Sequence, residues 1–151
     1  MHTKALAWWT LAVVAALGVP AIAYASYFNG TSGSDDVVIE RGSSVAYLRG
    51  GDDSFTGAKG NAGGSDRVYG GSGNDRIVGR SHVDTLRGGP GDDRLVGGPA
   101  RDGVYGAGGD DTLIGGAGID HFLPGPGRDT CFGQRKDKGF PGNCEIVRFV
   151  D

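Results

Sequence analysis

Between Gly30 and Phe132 the chain repeats every nine residues, a period so short that each unit has room for one tight turn and one short strand. The cleanest copies are Gly70-Gly-Ser-Gly-Asn-Asp-Arg-Ile-Val78 and Gly88-Gly-Pro-Gly-Asp-Asp-Arg-Leu-Val96. Both fit G-G-x-G-x-D-x-U-x, where U is a large apolar residue. Frames begin at residues 30, 39, 48, 61, 70, 79, 88, 97, 106, 115 and 124, and the four-residue insertion Gly57-Ala58-Lys59-Gly60 is the one break in phase. The sixth position holds Asp35, Asp53, Asp66, Asp75, Asp84, Asp93, Asp102, Asp111, Asp120 and Asp129, with Ser44 as the exception. The eighth runs Val37, Ala46, Phe55, Val68, Ile77, Leu86, Leu95, Val104, Leu113, Phe122 and Cys131.

Glycine admits positive φ and tight turns without a Cβ penalty. The residues x-U-x then form a short strand whose middle side chain points opposite to its neighbours. Stacking such units buries the U column, giving a solenoid in which each turn touches only the next. The chain holds 31 Gly and 6 Pro, a content that would indicate disorder if it had no period. One large apolar residue per nine is a thin core for so much glycine entropy. A further source of stability is needed, and the aspartates indicate it. Calcium takes six to eight oxygens, and a glycine-rich turn offers carbonyl oxygens beside each carboxylate.

The repeat resembles the RTX, or haemolysin-type, calcium-binding family across residues 30–132. That resemblance implies an all-β, right-handed parallel β-roll, each nonapeptide giving half a turn with six residues of loop and three of strand. It also implies several calcium ions between loops 18 residues apart. The expected donors are the ten aspartates above together with carbonyls of loop glycines such as Gly71, Gly73, Gly89, Gly91, Gly109 and Gly127.

Alternate frames then share a side of the roll. One side has Ser34, Asp52, Asn74, Asp92, Asp110 and Arg128 at the fifth position and glycine at every fourth. The other has Ser43, Ser65, Val83, Arg101 and Ile119 at the fifth, with His82 and Ala100 at fourth positions and Arg80 replacing a further glycine. β-Branched residues resist left-handed backbone. The expectation is one well-formed calcium ladder and one degraded ladder.

The organisation read from the sequence is a leader (1–25), a β-roll (26–132) and a C-terminal cap (133–151). Lys4, the apolar run Ala5–Val19, Pro20 and the A-x-A site Ala23-Tyr24-Ala25 read as a secretory signal peptide leaving Ser26 first. An uncleaved anchor is the alternative. An N-terminal signal departs from the toxin members of the family, which leave by a C-terminal signal, and it points to the general secretory route. The expected location is extracellular or at the surface of a bacterial cell, with no membrane association after cleavage. The two cysteines, Cys131 and Cys144, fall in the exported part, where an even count favours a disulfide. Such a bridge would hold the tail over the open end of the core.

The remaining residues argue against catalysis. Paired carboxylates that recur every frame are a scaffold, because an active site occurs once, and His82 and His121 have no triad partners. The repeat region leaves little room for a catalytic domain, so the chain is expected not to be an enzyme. A net charge of −3 argues against nucleic acid as a partner. A structural or surface-interaction role is expected. The alternative is adhesion to cell wall or glycan through Tyr47, Tyr69 and Tyr105, which share the ninth position with Arg87 and Leu123.

Overall fold

The computed structural model describes residues 21–23, 27–134, 136–138 and 144–149. Short strands alternate between two parallel sheets. The first contains β1 (Ala21–Ala23), β3 (Asp36–Ile39), β5 (Ser54–Thr56), β7 (Arg76–Val78), β9 (Arg94–Pro99), β11 (Thr112–Ala117), β13 (Asp129–Gly133) and β14 (Cys144–Phe149), in that spatial order. The second contains β2 (Tyr27–Asn29), β4 (Val45–Gly50), β6 (Arg67–Ser72), β8 (Thr85–Pro90), β10 (Gly103–Gly108) and β12 (His121–Leu123). Each frame therefore gives half a turn, and about six turns form a β-solenoid.

Register follows the repeat. Leu86 pairs with Val104 and Leu95 with Leu113, so identical positions stack on one another. Every eighth-position residue from Val37 to Cys131 is fully buried, which makes the U column the core. Two further core residues, Ile39 and Leu48, come from the first position of their frames. They follow Val37 and Ala46 by two residues, so strand alternation turns them to the same interior side.

The insertion leaves the stack in phase. Phe55 pairs with Ile77 and Ala46 with Val68, so the same strands meet despite the longer connection. The extra residues lie inside a ten-residue loop, 57–66, that carries a single 3₁₀ turn, Gly60–Ala62. Gly57, rather than Asn61, takes the first position. Its N–H donates to the Val78 carbonyl (2.8 Å), as the N–H of Gly79 does to Val96 (2.9 Å).

At the C-terminus the chain makes one more, irregular turn. Lys138 bridges to His121 on the second sheet, and β14 pairs with β13 on the first, placing Val147 beside Cys131. The tail thus meets the end of the roll by strand pairing, which occupies backbone groups that an open edge would expose. A Cys131–Cys144 disulfide ties the last two turns together. The sequence separation of 13 closes a loop for which chain entropy gives about 3 kcal/mol. Changing both cysteines to serine should lower the thermal midpoint and promote association, read by calorimetry and size-exclusion chromatography in calcium. An unchanged midpoint would remove the staple from the stability argument.

Of the expected leader, only Ala21–Ala23 lies among the described residues, as β1 paired with β3. The apolar run Ala5–Val19 and the residues Tyr24 and Ala25 of the cleavage site lie outside them. No helix among the described residues is long and apolar enough to cross a membrane.

Candidate metal centre

The loops form two edges. Loops 30–35, 48–53, 70–75, 88–93, 106–111 and 124–129 lead into the first sheet, and the others lead into the second. The sixth-position aspartate ends each loop two residues before the buried U residue. Alternation turns its side chain inward, and all ten expected aspartates are at most 5% exposed.

Their carboxylates form two continuous ladders. On the first edge, Oδ1 of Asp53 accepts from the Asp35 N–H (2.7 Å), and Asp75, Asp93, Asp111 and Asp129 continue the pattern at 2.8–2.9 Å. On the second edge Ser44 donates through both N–H and Oγ to Asp66 Oδ1 (2.8 Å each). Asp66 in turn donates its N–H to Asp84, Asp84 to Asp102 and Asp102 to Asp120. One member escaped the sequence reading. The Asp120 N–H donates to Asp137 Oδ1 (3.0 Å), so Asp137 takes the sixth position in a loop one residue too short for the repeat. Gly133 at that loop's first position was the available signal.

The second oxygen is different. Among the described residues, Oδ2 of Asp53, Asp66, Asp75, Asp84, Asp93, Asp102, Asp111 and Asp120 is buried with no hydrogen-bond partner. First-position glycines make room for it, since a Cβ at Gly70, Gly79, Gly88 or Gly106 would clash with the Oδ2 of its own loop. Burial drives these carboxyls up from the ordinary 3.8. Asp84 is pushed to about 8, Asp53, Asp93 and Asp102 to about 7, and Asp111 to about 6. The ladder N–H donors oppose the shift, and neighbouring carboxylates add to it.

Backbone oxygens complete the edges. Gly71, Gly73, Gly89, Gly91, Gly109 and Gly127 all adopt positive φ, between 117° and 144°. They occupy second and fourth positions, and a Cβ on any of them would strike the carbonyl of the matching residue one turn earlier. Those carbonyls therefore point along the stack, and beside the carboxylates lie first-position carbonyls of the next turn: a Cβ at Gly70 would meet both Asp75 Oδ2 and the Gly88 carbonyl, and one at Gly106 both Asp111 Oδ2 and the Pro124 carbonyl. Among the described residues no three His, Cys, Asp or Glu side chains converge as a metal cluster, so any cation here needs these backbone oxygens. Carboxylate oxygens without partners beside aligned carbonyls are a hard-cation donor set, and they fit calcium.

The two sides differ less than the sequence indicated. The inner ladder has the same spacing and burial on both edges, and Arg80, His82 and Ala100 are held at positive φ (75°, 75° and 113°) where glycine is the usual residue. Val83 and Ile119 escape that strain, because the fifth position is not left-handed; both are exposed. What the first edge has in addition is an outer ladder. Asp52, Asn74, Asp92 and Asp110 each accept the N–H of the fifth residue one turn later, at 2.8–2.9 Å. The fifth-position Asn/Asp preference thus reflects hydrogen bonding between turns.

The RTX calcium-binding nonapeptide repeat model matches residues 62–95, 87–122 and 105–135. No curated protein and no solved structure matches the chain. Repeats of this family bind calcium at multiple sites. The chain therefore carries RTX calcium-binding nonapeptide repeats over residues 62–135, and such repeats in a β-solenoid with this ladder geometry fit a calcium-binding β-roll.

Proposed function

We propose that the protein is exported through its N-terminal leader and works outside the cell as a calcium-ordered scaffold, with a structural or surface-interaction role and no catalysis. The buried Oδ2 atoms carry this reading. A folded chain with this many carboxyl oxygens lacking partners in its interior needs a neutralising ligand, and a ligand bound only by the folded state makes folding depend on it. Sixth-position aspartates and the loop carbonyls beside them would hold the ions. An extracellular setting supplies calcium in the range that modules of this kind use, about 10⁻⁴–10⁻³ M.

Adhesion through the tyrosine face has weaker support. The Tyr47 and Tyr69 rings stack face to face at 4.7 Å with 2° between their planes. Rings that cover one another have little face left for a sugar, and the stack reads as cross-strand packing. Tyr105 is separated from them by Arg87 in the same row.

The test is expression of the full chain in a bacterial host. The expected product is exported protein beginning at Ser26 that binds several calcium ions per chain in equilibrium dialysis. Cell-retained protein with its first residues intact would overturn export, and absence of bound calcium would overturn the scaffold reading.

A further inference from the structure

The N-terminal ends of both ladders and the C-terminal end of the second are built differently from the middles. Asp35, which opens the first ladder, spends its oxygens on its own loop: Oδ2 accepts the Thr31 N–H (2.7 Å), and the Thr31 hydroxyl lies within 3.4 Å of both oxygens. Asp137, which closes the second ladder, accepts the Asp120 N–H through Oδ1 and the Gln134 N–H through Oδ2. The second ladder opens on Ser44, a neutral hydroxyl that satisfies Asp66 as a donor. Eight aspartates between these ends keep a buried oxygen without a partner.

Backbone conformation divides the loops in nearly the same way. Positive φ at both the second and the fourth position occurs in loops 48–53, 70–75, 79–84, 88–93, 97–102, 106–111, 115–120 and 124–129. Loop 30–35 has it at neither, and loop 39–44 only at Gly42. In the final loop Gln134 does not adopt it. Loops 30–35 and 39–44 therefore do not turn their carbonyls along the stack as the central ones do, whereas loop 124–129, which ends the first ladder, does. The ten-residue loop 57–66 has positive φ only at Gly60 but keeps the spare oxygen on Asp66, and it marks the boundary on the second edge.

We infer that Asp35, Ser44 and Asp137 are metal-free caps, hydrogen-bonded terminators that replace calcium with N–H and O–H donors and so fix where the ion array starts on both edges and where it stops on the second. The inference rests on the calcium reading and refines it. Asp35 leaves the ligand set, and Asp137, outside the nine-residue register, stabilises without binding an ion. A cap of this kind lets the end turns close where no further turn exists to complete an ion's shell.

Full-chain Asp35→Asn, Asp137→Asn and Asp93→Asn proteins separate the roles. Each is measured for bound calcium by equilibrium dialysis and for thermal midpoint in saturating calcium. Asn at a cap keeps one acceptor oxygen and loses the other, so both cap variants should melt lower than the unaltered chain while binding the same number of ions. Asp93→Asn should bind fewer ions. Fewer ions in either cap variant, with normal binding by the unaltered chain, would overturn the inference. No calcium on the unaltered chain would overturn the underlying reading and the inference together. If one cap variant fails to fold, the other still decides the question, since the two lie at opposite ends.

Discussion

Chelation at about pH 8 should abolish most of the strand signal of the full chain in circular dichroism, and added calcium should restore it cooperatively. The magnitudes favour a large effect. An ionised carboxylate held in the interior without a partner costs several kcal/mol, whereas a whole domain is stable by about 5–15 kcal/mol. Eight buried aspartates carry an oxygen without a partner, so ionising even a few of them exceeds what the narrow U column can offset. Calcium removes that cost and binds only where the loops are formed, which couples occupancy to order. A spectrum unchanged between chelator and saturating calcium would show that the roll stands without the metal.

Acid should partly substitute for calcium. The folded-state carboxyls of Asp53, Asp84, Asp93, Asp102 and Asp111 lie at about 6 to 8, raised mainly by burial from 3.8. Between those limits the folded chain holds more protons than the unfolded chain, so stability falls as pH rises. The contribution is fully present below about pH 4 and is lost as pH climbs through about 6 to 8. In chelator the protein should therefore be more ordered at about pH 5 than at about pH 8. Protons and calcium compete for the same oxygens, so calcium affinity should drop over the same interval as pH falls. Circular dichroism in chelator across this range, with calorimetric calcium titrations at both ends, checks each half. A metal-free protein better ordered at about pH 8 would contradict the burial of these carboxylates.

The parts of this structure that could be read from sequence are those dictated by period. Asp75, Asp93 and Asp111 recur at a fixed offset from Ile77, Leu95 and Leu113, and only a stacked strand with inward alternation explains both columns at once. The parts missed are those where a residue takes a repeat role without the repeat's spacing. Asp137 joins the ladder from a loop shortened by one residue. Gly57 serves as a first-position glycine although the frame seemed to restart at Asn61. Ile39 and Leu48 are core residues at positions where glycine is the rule. The fifth-position Asn and Asp residues point in the sequence to a calcium ladder, whereas their hydrogen bond to a residue one turn later leaves no local signature.

The ten-residue loop also shows where this architecture tolerates change. Four added residues between β5 and β6 leave Phe55 opposite Ile77 and Val68 opposite Leu86, because turn-to-turn spacing is set by strand pairing and not by connector length. A single residue added inside a strand would do the opposite. It would rotate every following side chain of that segment by one face, sending its carboxylate and apolar residue outward together. Growth by whole nine-residue units and ornament on the loop edges are thus open to this protein, whereas a single-residue insertion between a carboxylate and its apolar neighbour is not.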